Sequence, residues 1–195
     1  MNNILQLIKR HEQKIEKRSY KKGESVFFEG EECKSIGIIE SGEISIKSYF
    51  SNGKEVIYNI LQKGQMFGNN LIFSSNPHYR GDVISEQDST IFFINKESLL
   101  AILQSDIDFL KVYLAEQSDF SKTLNLKIKL LTISSANDRF VYYLTINKNV
   151  IKYKSITKLA NELYLTRETL SRTIKKLKDN KIITVSKKTI TLMVE

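Results

Sequence analysis

Between Ser155 and Asn180 the chain reads SITKLANELYLTRETLSRTIKKLKDN, and Arg167, Glu168 and Arg172 place two guanidinium forks and a carboxylate within two turns of one helix. Arginine can donate in pairs to guanine O6 and N7, and glutamate can accept from cytosine N4, so these three side chains are equipped to read base edges. Lys158, Thr166, Ser171, Lys175, Lys187 and Lys188 add ammonium and hydroxyl donors at positions expected to meet phosphates. A solvated basic face on an ordinary helical hairpin is the alternative that the same residues allow.

Those side chains need elements to hold them. Ser155 can cap a first helix whose Ile156, Leu159, Ala160 and Leu163 face a core, and the small Ala160 allows a crossing helix to approach. Tyr164 and Leu165 make a turn. Thr166 is an N-cap for a second helix from Arg167 to about Lys178, which buries Leu170, Ile174 and Leu177 and turns the reading residues outward. After Lys181, IITVSKKTITLMV alternates about Lys187-Lys188 and predicts a two-stranded wing. The pattern is a winged helix-turn-helix, in which the N-terminus of the second helix enters the major groove.

The charge agrees with that placement. The net charge is +8, and Met1–Ala136 carries 17 Lys/Arg against 17 Asp/Glu while Asn137–Glu195 carries 13 against 5. A basic excess confined to one small domain is the footprint of a polyanion binder.

Upstream, all eight glycines and the one proline, Pro77, fall before residue 82. Between them run SVFFEG, SIGIIESG, EISIKSYFSNG, EVIYNILQKG and later STIFFI, short β-branched and aromatic segments that predict an antiparallel sandwich, barrel or roll. Asn52-Gly53 between two such runs predicts a hairpin with a type I′ turn. After Ile94 the spacing becomes helical: a short helix from Asn95 or Lys96 to near Ser105, a long one from about Ile107 to Ser134, and another from about Asn137 to Ile146 bearing Phe140, Val141 and Leu144. NKNVIKYKS then reads as a loop with a short strand. Along the long helix Leu110, Leu114, Gln117, Ser121, Leu124, Ile128 and Leu131 alternate steps of four and three, the seam of a coiled coil. Phe109, Tyr113 and Phe120 form a second stripe suited to packing on the β-domain. A helix buried inside a monomer is the alternative to a dimer seam.

Several function classes are not expected. No run approaches the roughly 20 apolar residues of a membrane span, and the start, MNNILQLIKRHEQKIEKR, is amphipathic without a signal-peptide core, so a soluble, cytoplasmic protein is expected. The single cysteine, Cys33, rules out an internal disulfide, and the default reading of such a thiol is a small hydrophobe rather than a redox sensor. His11 and His78 have no partner at metal-ligand spacing, so no metal or cofactor is identified. No nucleophile and base constellation or phosphate-binding glycine loop is present either, and an enzyme is not expected.

The stretch LTRETLSRTIKKLKDNKII closely resembles the recognition helix of the cyclic AMP receptor protein/FNR (Crp/Fnr) family, keeping the spacing of its Arg-Glu pair and following Arg at Arg167, Glu168 and Arg172. KKGESVFFEGEECKSIGIIESGEISIKSYFSNGKEVIYNILQKGQMFG is similar to that family's glycine-spaced β-roll. The resemblance implies an α+β fold: an antiparallel β-roll of the cyclic-nucleotide-binding jelly-roll kind over 1–105, a dimerisation helix over 106–136, and a winged helix-turn-helix over 137–195. It implies a transcription regulator acting as a homodimer on double-stranded DNA with a palindromic operator, and RNA polymerase is a candidate further partner. In members that bind cyclic nucleotides, a Gly-Glu pair holds the ribose and an Arg-Ser pair the phosphate. Here Gly68 is kept, Asn69 replaces the glutamate, and Tyr79 and Arg80 replace Arg-Ser in an ungapped alignment, while a shift of one residue returns Arg80 to the phosphate position but leaves Gly81 for the serine, so an effector other than cyclic AMP is expected. The candidate effector pocket comprises Gly68, Asn69, Tyr79, Arg80, Leu124 and Asn125. The competing function is a ligand-binding or adaptor protein whose basic tail contacts nucleic acid without sequence preference.

Overall fold

The structure, a computed structural model, describes residues 4–193; residues 1–3 of the amphipathic start and Val194 of the expected wing lie outside the described residues. The chain forms two compact units, Met1–Asp119 and Phe120–Glu195.

The first unit opens with helix α1 (Ile4–Ile8) and a 3-10 turn (Lys9–Lys14). Eight strands follow: β1 (Glu16–Tyr20), β2 (Ser25–Phe27), β3 (Ser35–Ser41), β4 (Glu43–Tyr49), β5 (Glu55–Gln62), β6 (Met66–Phe67), β7 (Asp82–Ser85) and β8 (Ser89–Asn95). They make two antiparallel four-stranded sheets, ordered β1-β8-β3-β6 and β2-β7-β4-β5. Alternation sends Ile36 and Ile38 of β3, Ile44 of β4, Val83 of β7 and Ile91 and Phe93 of β8 into one shared core. Aromatic rings fill its centre. Phe27 stacks on Tyr79 with centroids 4.6 Å apart and meets Phe67 and Phe93 edge-on.

The hairpin at Asn52-Gly53 forms between β4 and β5, but not with the expected two-residue type I′ turn. Phe50 N donates to Lys54 O and Gly53 N to Phe50 O, and Gly53 takes φ +77° while Asn52 stays in the ordinary region. The loop therefore has three residues and ends in a glycine bulge, which requires left-handed backbone at one position only.

Asn95 caps helix α2 (Lys96–Ser105) by accepting from Ser98 N at 2.8 Å. Helix α3 (Ile107–Thr132) runs from the first unit into the second. Asp106 begins it by accepting from Asp108 N and Phe109 N, and takes His11 Nε2 at 3.0 Å on its other oxygen. The His11 bond first, then the Phe109 amide and Arg10, hold the Asp106 carboxyl down at about 2. Phe109 and Tyr113 join the core of the first unit as expected, whereas Phe120 stays 42% exposed. That stripe ends where Tyr113 Oη and Gln117 Nε2 both donate to Asn69 O, at 2.9 and 2.7 Å.

In the second unit come α4 (Ala136–Ile146), β9 (Val150–Lys152), α5 (Ile156–Glu162), α6 (Arg167–Asp179), β10 (Ile183–Ser186) and β11 (Thr189–Leu192). Leu130, Phe140, Leu144, Leu159, Leu170, Leu177 and Ile190 are among its core. The wing has three strands rather than two, ordered β10-β11-β9, because Val150–Lys152 pairs with β11. Among the described residues no helix is long and apolar enough to cross a membrane.

Candidate nucleic-acid interface

Local sequence builds the helix pair. Ser155 Oγ accepts from Lys158 N at 3.2 Å to start α5, and Thr166 Oγ1 accepts from Thr169 N at 3.1 Å to start α6. Between them Leu165 N donates to Ala160 O at 2.9 Å, while Tyr164 adopts φ +55°, a left-handed conformation rare for a bulky side chain. Ala160 and Leu159 are buried, as are Leu170 and Leu177. Ile174 is only half-buried, and Thr173, which spacing alone left aside, occupies the core in its place.

The opposite face of α6 is open. Arg167, Glu168, Ser171, Arg172 and Lys175 are all exposed, and the first four share one surface depression with Thr166. Among the described residues no hydrogen bond or ion pair occupies Arg167, Glu168 or Arg172. Lys158 is exposed on α5, and Lys187 and Lys188 sit in the β10–β11 turn, where Lys187 takes φ +52°. Lys188 differs from the rest because its Nζ donates to Lys154 O at 3.2 Å.

One polar residue of this unit escaped periodicity. Arg139, in the first turn of α4, is 9% exposed and lies on the buried side next to Phe140. Its Nη1 donates to Leu163 O and Tyr164 O, both at 3.1 Å, and its Nε and Nη2 donate to Ile133 O at 3.1 and 2.7 Å.

On α3, Leu114, Leu124, Ile128 and Leu131 are 46–55% exposed, and Ser121 is exposed beside them. Leu110 and Gln117 of the same seam are half-buried in the first unit.

Of the candidate effector pocket, Gly68, Asn69, Tyr79 and Arg80 lie in the first unit, and among themselves they do not form an open polar cradle. Tyr79 is a core side chain whose Oη has no hydrogen-bond partner among the described residues, and burial pushes its phenol well up. Gly68, at φ +76°, packs so closely that an added Cβ would lie 3.0 Å from Cys33 Sγ and 3.3 Å from Tyr79 Oη. Asn69 gives its backbone carbonyl to Tyr113 and Gln117, and Arg80 is exposed. Leu124 and Asn125 are exposed residues of α3 within the second unit. Cys33 is buried, and that burial pushes its thiol up, away from thiolate reactivity. Among the described residues no three His, Cys, Asp or Glu side chains cluster as metal ligands.

Comparison with known proteins places these features. Residues 17–106 match the cyclic nucleotide-binding domain. The anaerobic regulatory protein of Bacillus subtilis (strain 168) is 31% identical over 86 residues, 44% of this chain and 34% of that protein, so the match spans about a third of that relative's length. A transcriptional regulator from Thermotoga maritima superimposes with a TM-score of 0.60 at 25% identity, over 64% of this chain and 97% of that one. A CooA variant from Carboxydothermus hydrogenoformans gives 0.67 at 19% identity, covering 98% and 91%. The Thermus thermophilus catabolite activator protein gives 0.57 at 18%, covering 96% and 90%. At such identities the last two establish a shared fold.

Proposed function

We propose that this chain, which has the fold of the Crp/Fnr-type regulators with a cyclic nucleotide-binding domain at residues 17–106, is a sequence-specific DNA-binding transcription regulator that acts as a homodimer on a palindromic operator. One observation carries the reading: Arg167, Glu168 and Arg172 lie together on the exposed N-terminal face of α6 with no intramolecular partner among the described residues. Unsatisfied donors and acceptors of that kind suit base edges in a major groove. Lys158, Ser171, Lys175 and Lys187 flank them as phosphate contacts, and the exposed Leu114, Leu124, Ile128 and Leu131 supply the dimer seam. Thr166 and Lys188 serve the same surface while also holding the fold, the first as a cap and the second on Lys154 O.

The effector of the N-terminal domain is not cyclic AMP. Asn69 cannot act as a ribose-binding carboxylate, and Tyr79, buried against Phe27, offers nothing to a phosphate. A ligand of other chemistry, or none, sets the activity. A ligand shifts the conformational equilibrium only by its difference in affinity between states.

The test is selection from a random DNA pool by the purified chain without added ligand. The expected product is a palindrome with half-sites about one helical turn apart. Uniform, strongly salt-dependent recovery of all sequences is the result expected of a merely cationic tail.

A further inference from the structure

We infer that Arg139 is the positioning residue that fixes the turn between α5 and α6, and with it the base-reading face, against the chain segment leaving α3. The inference rests on the DNA-reading function proposed above. Arg139 is a buried cation that meets no carboxylate among the described residues; its four hydrogen bonds all end on backbone carbonyls. Two of those carbonyls, Leu163 O and Tyr164 O, close the C-terminal end of α5, where helix carbonyls lack intrahelical donors and carry partial negative charge. The third, Ile133 O, lies just past the end of α3 at Thr132. One planar fork thus joins segments separated by 30 residues of chain.

The bonds fall where the backbone most needs holding. Tyr164, in left-handed conformation, sits two residues before the cap of α6, so a relaxed Tyr164 would re-aim Thr166 and the Arg167-Glu168 pair that follows. A lysine at 139 keeps the charge but offers a single nitrogen, which cannot reach Ile133 O on one side and both turn carbonyls on the other. An apolar residue would leave Leu163 O buried without a donor and strip Ile133 O and Tyr164 O, both partly buried, of their side-chain partner.

The experiment compares wild type, Arg139→Lys and the double variant Arg139→Lys/Tyr164→Gly at a temperature where near-ultraviolet circular dichroism shows all three folded. Affinities are measured for the operator selected by the wild type and for a scrambled duplex at the same salt. The expected result is that Arg139→Lys loses about tenfold or more on the operator, the scale of one misplaced bidentate base contact, while its affinity for the scrambled duplex is unchanged. Tyr164→Gly, by accepting the left-handed turn without strain, restores part of the operator affinity. Operator affinity equal to wild type, or equal losses on both duplexes, overturns the inference. Should the wild type select no sequence, the DNA-reading function falls, and hydrogen exchange of the Leu165 and Thr169 amides decides the part of Arg139: faster exchange in Arg139→Lys supports it, and unchanged exchange overturns it.

Discussion

The two units of this chain treat their charges in opposite ways. In the first, several cations are matched at home: Lys47 Nζ meets Glu86 at 2.9 Å, Lys17 meets Glu40 at 2.6 Å, Lys21 meets Asp88 at 2.9 Å, and Arg10 meets Asp106 and Asp108 at 3.4 and 3.2 Å. In the second, 16 Lys/Arg face only 5 Asp/Glu, and among the described residues no side-chain ion pair forms. The one cation it buries, Arg139, is spent on carbonyls. A unit that pairs its charges internally spends that electrostatic energy on its own fold, whereas one that leaves its cations without ion partners keeps it for an external polyanion.

The largest effect expected from breaking this contrast comes from the seam rather than the reading face. Leu124→Lys/Ile128→Lys introduces charge at exposed apolar positions, so monomer stability should change little while sedimentation shows loss of the proposed dimer. Operator affinity should then fall by about 10²- to 10⁴-fold through loss of bivalency. A double variant that remains dimeric would remove this helix from the interface.

In the self-neutralised unit the sharpest target is steric. At Gly37 an added Cβ would fall 2.1 Å from the Phe67 ring, itself packed against Phe27 and Phe93. Gly37→Ala should cost about 1–3 kcal/mol by overpacking, visible as a lowered denaturation midpoint, and should leave the candidate DNA-reading face of α6 chemically intact. An unchanged midpoint would mean that the aromatic centre is looser than described.

A smaller, pH-dependent effect belongs to Asp106. Its carboxyl is held down at about 2, below the ordinary value of about 3.9 for an unfolded aspartate. A depressed carboxylate contributes stability that is fully present above about pH 4 and is lost as pH falls toward 2. Asp106→Asn keeps the α3 cap, since asparagine caps well, but weakens the ties to His11 and Arg10. The variant should therefore melt lower than wild type at pH 7, with the difference closing between about pH 4 and 2. A difference that does not depend on pH would assign the loss to capping instead.

What was legible beforehand follows from how local each interaction is. Ser155 and Thr166 cap within three residues, so both helices of the C-terminal pair and their outward faces could be written down from spacing alone. The strand pairings could not, because β1 pairs with β8 and β2 with β7 across more than 50 residues. Tyr79 illustrates the cost: alignment puts it beside Arg80 as a ligand contact, while backbone bonds to Gly30 and Glu31, nearly 50 residues away, hold it inward onto Phe27 and Cys33. Arg139 was invisible for another reason, since its acceptors are backbone carbonyls 6, 24 and 25 residues away, and a carbonyl leaves no mark on residue type. The short strand in NKNVIKYKS was expected, but its pairing with β11 was not.

The most direct test of the central claim is the affinity of wild type and Arg167→Ala for the selected operator, for each single-base variant of a half-site, and for a scrambled duplex, over a range of salt. A base-reading Arg167 predicts a loss of about 1–3 kcal/mol on the operator and relaxed discrimination at one guanine, with scrambled-duplex affinity and salt slope nearly unchanged. Equal weakening on every duplex, with a salt slope shallower by about one ion, would make Arg167 a phosphate contact and contradict the account.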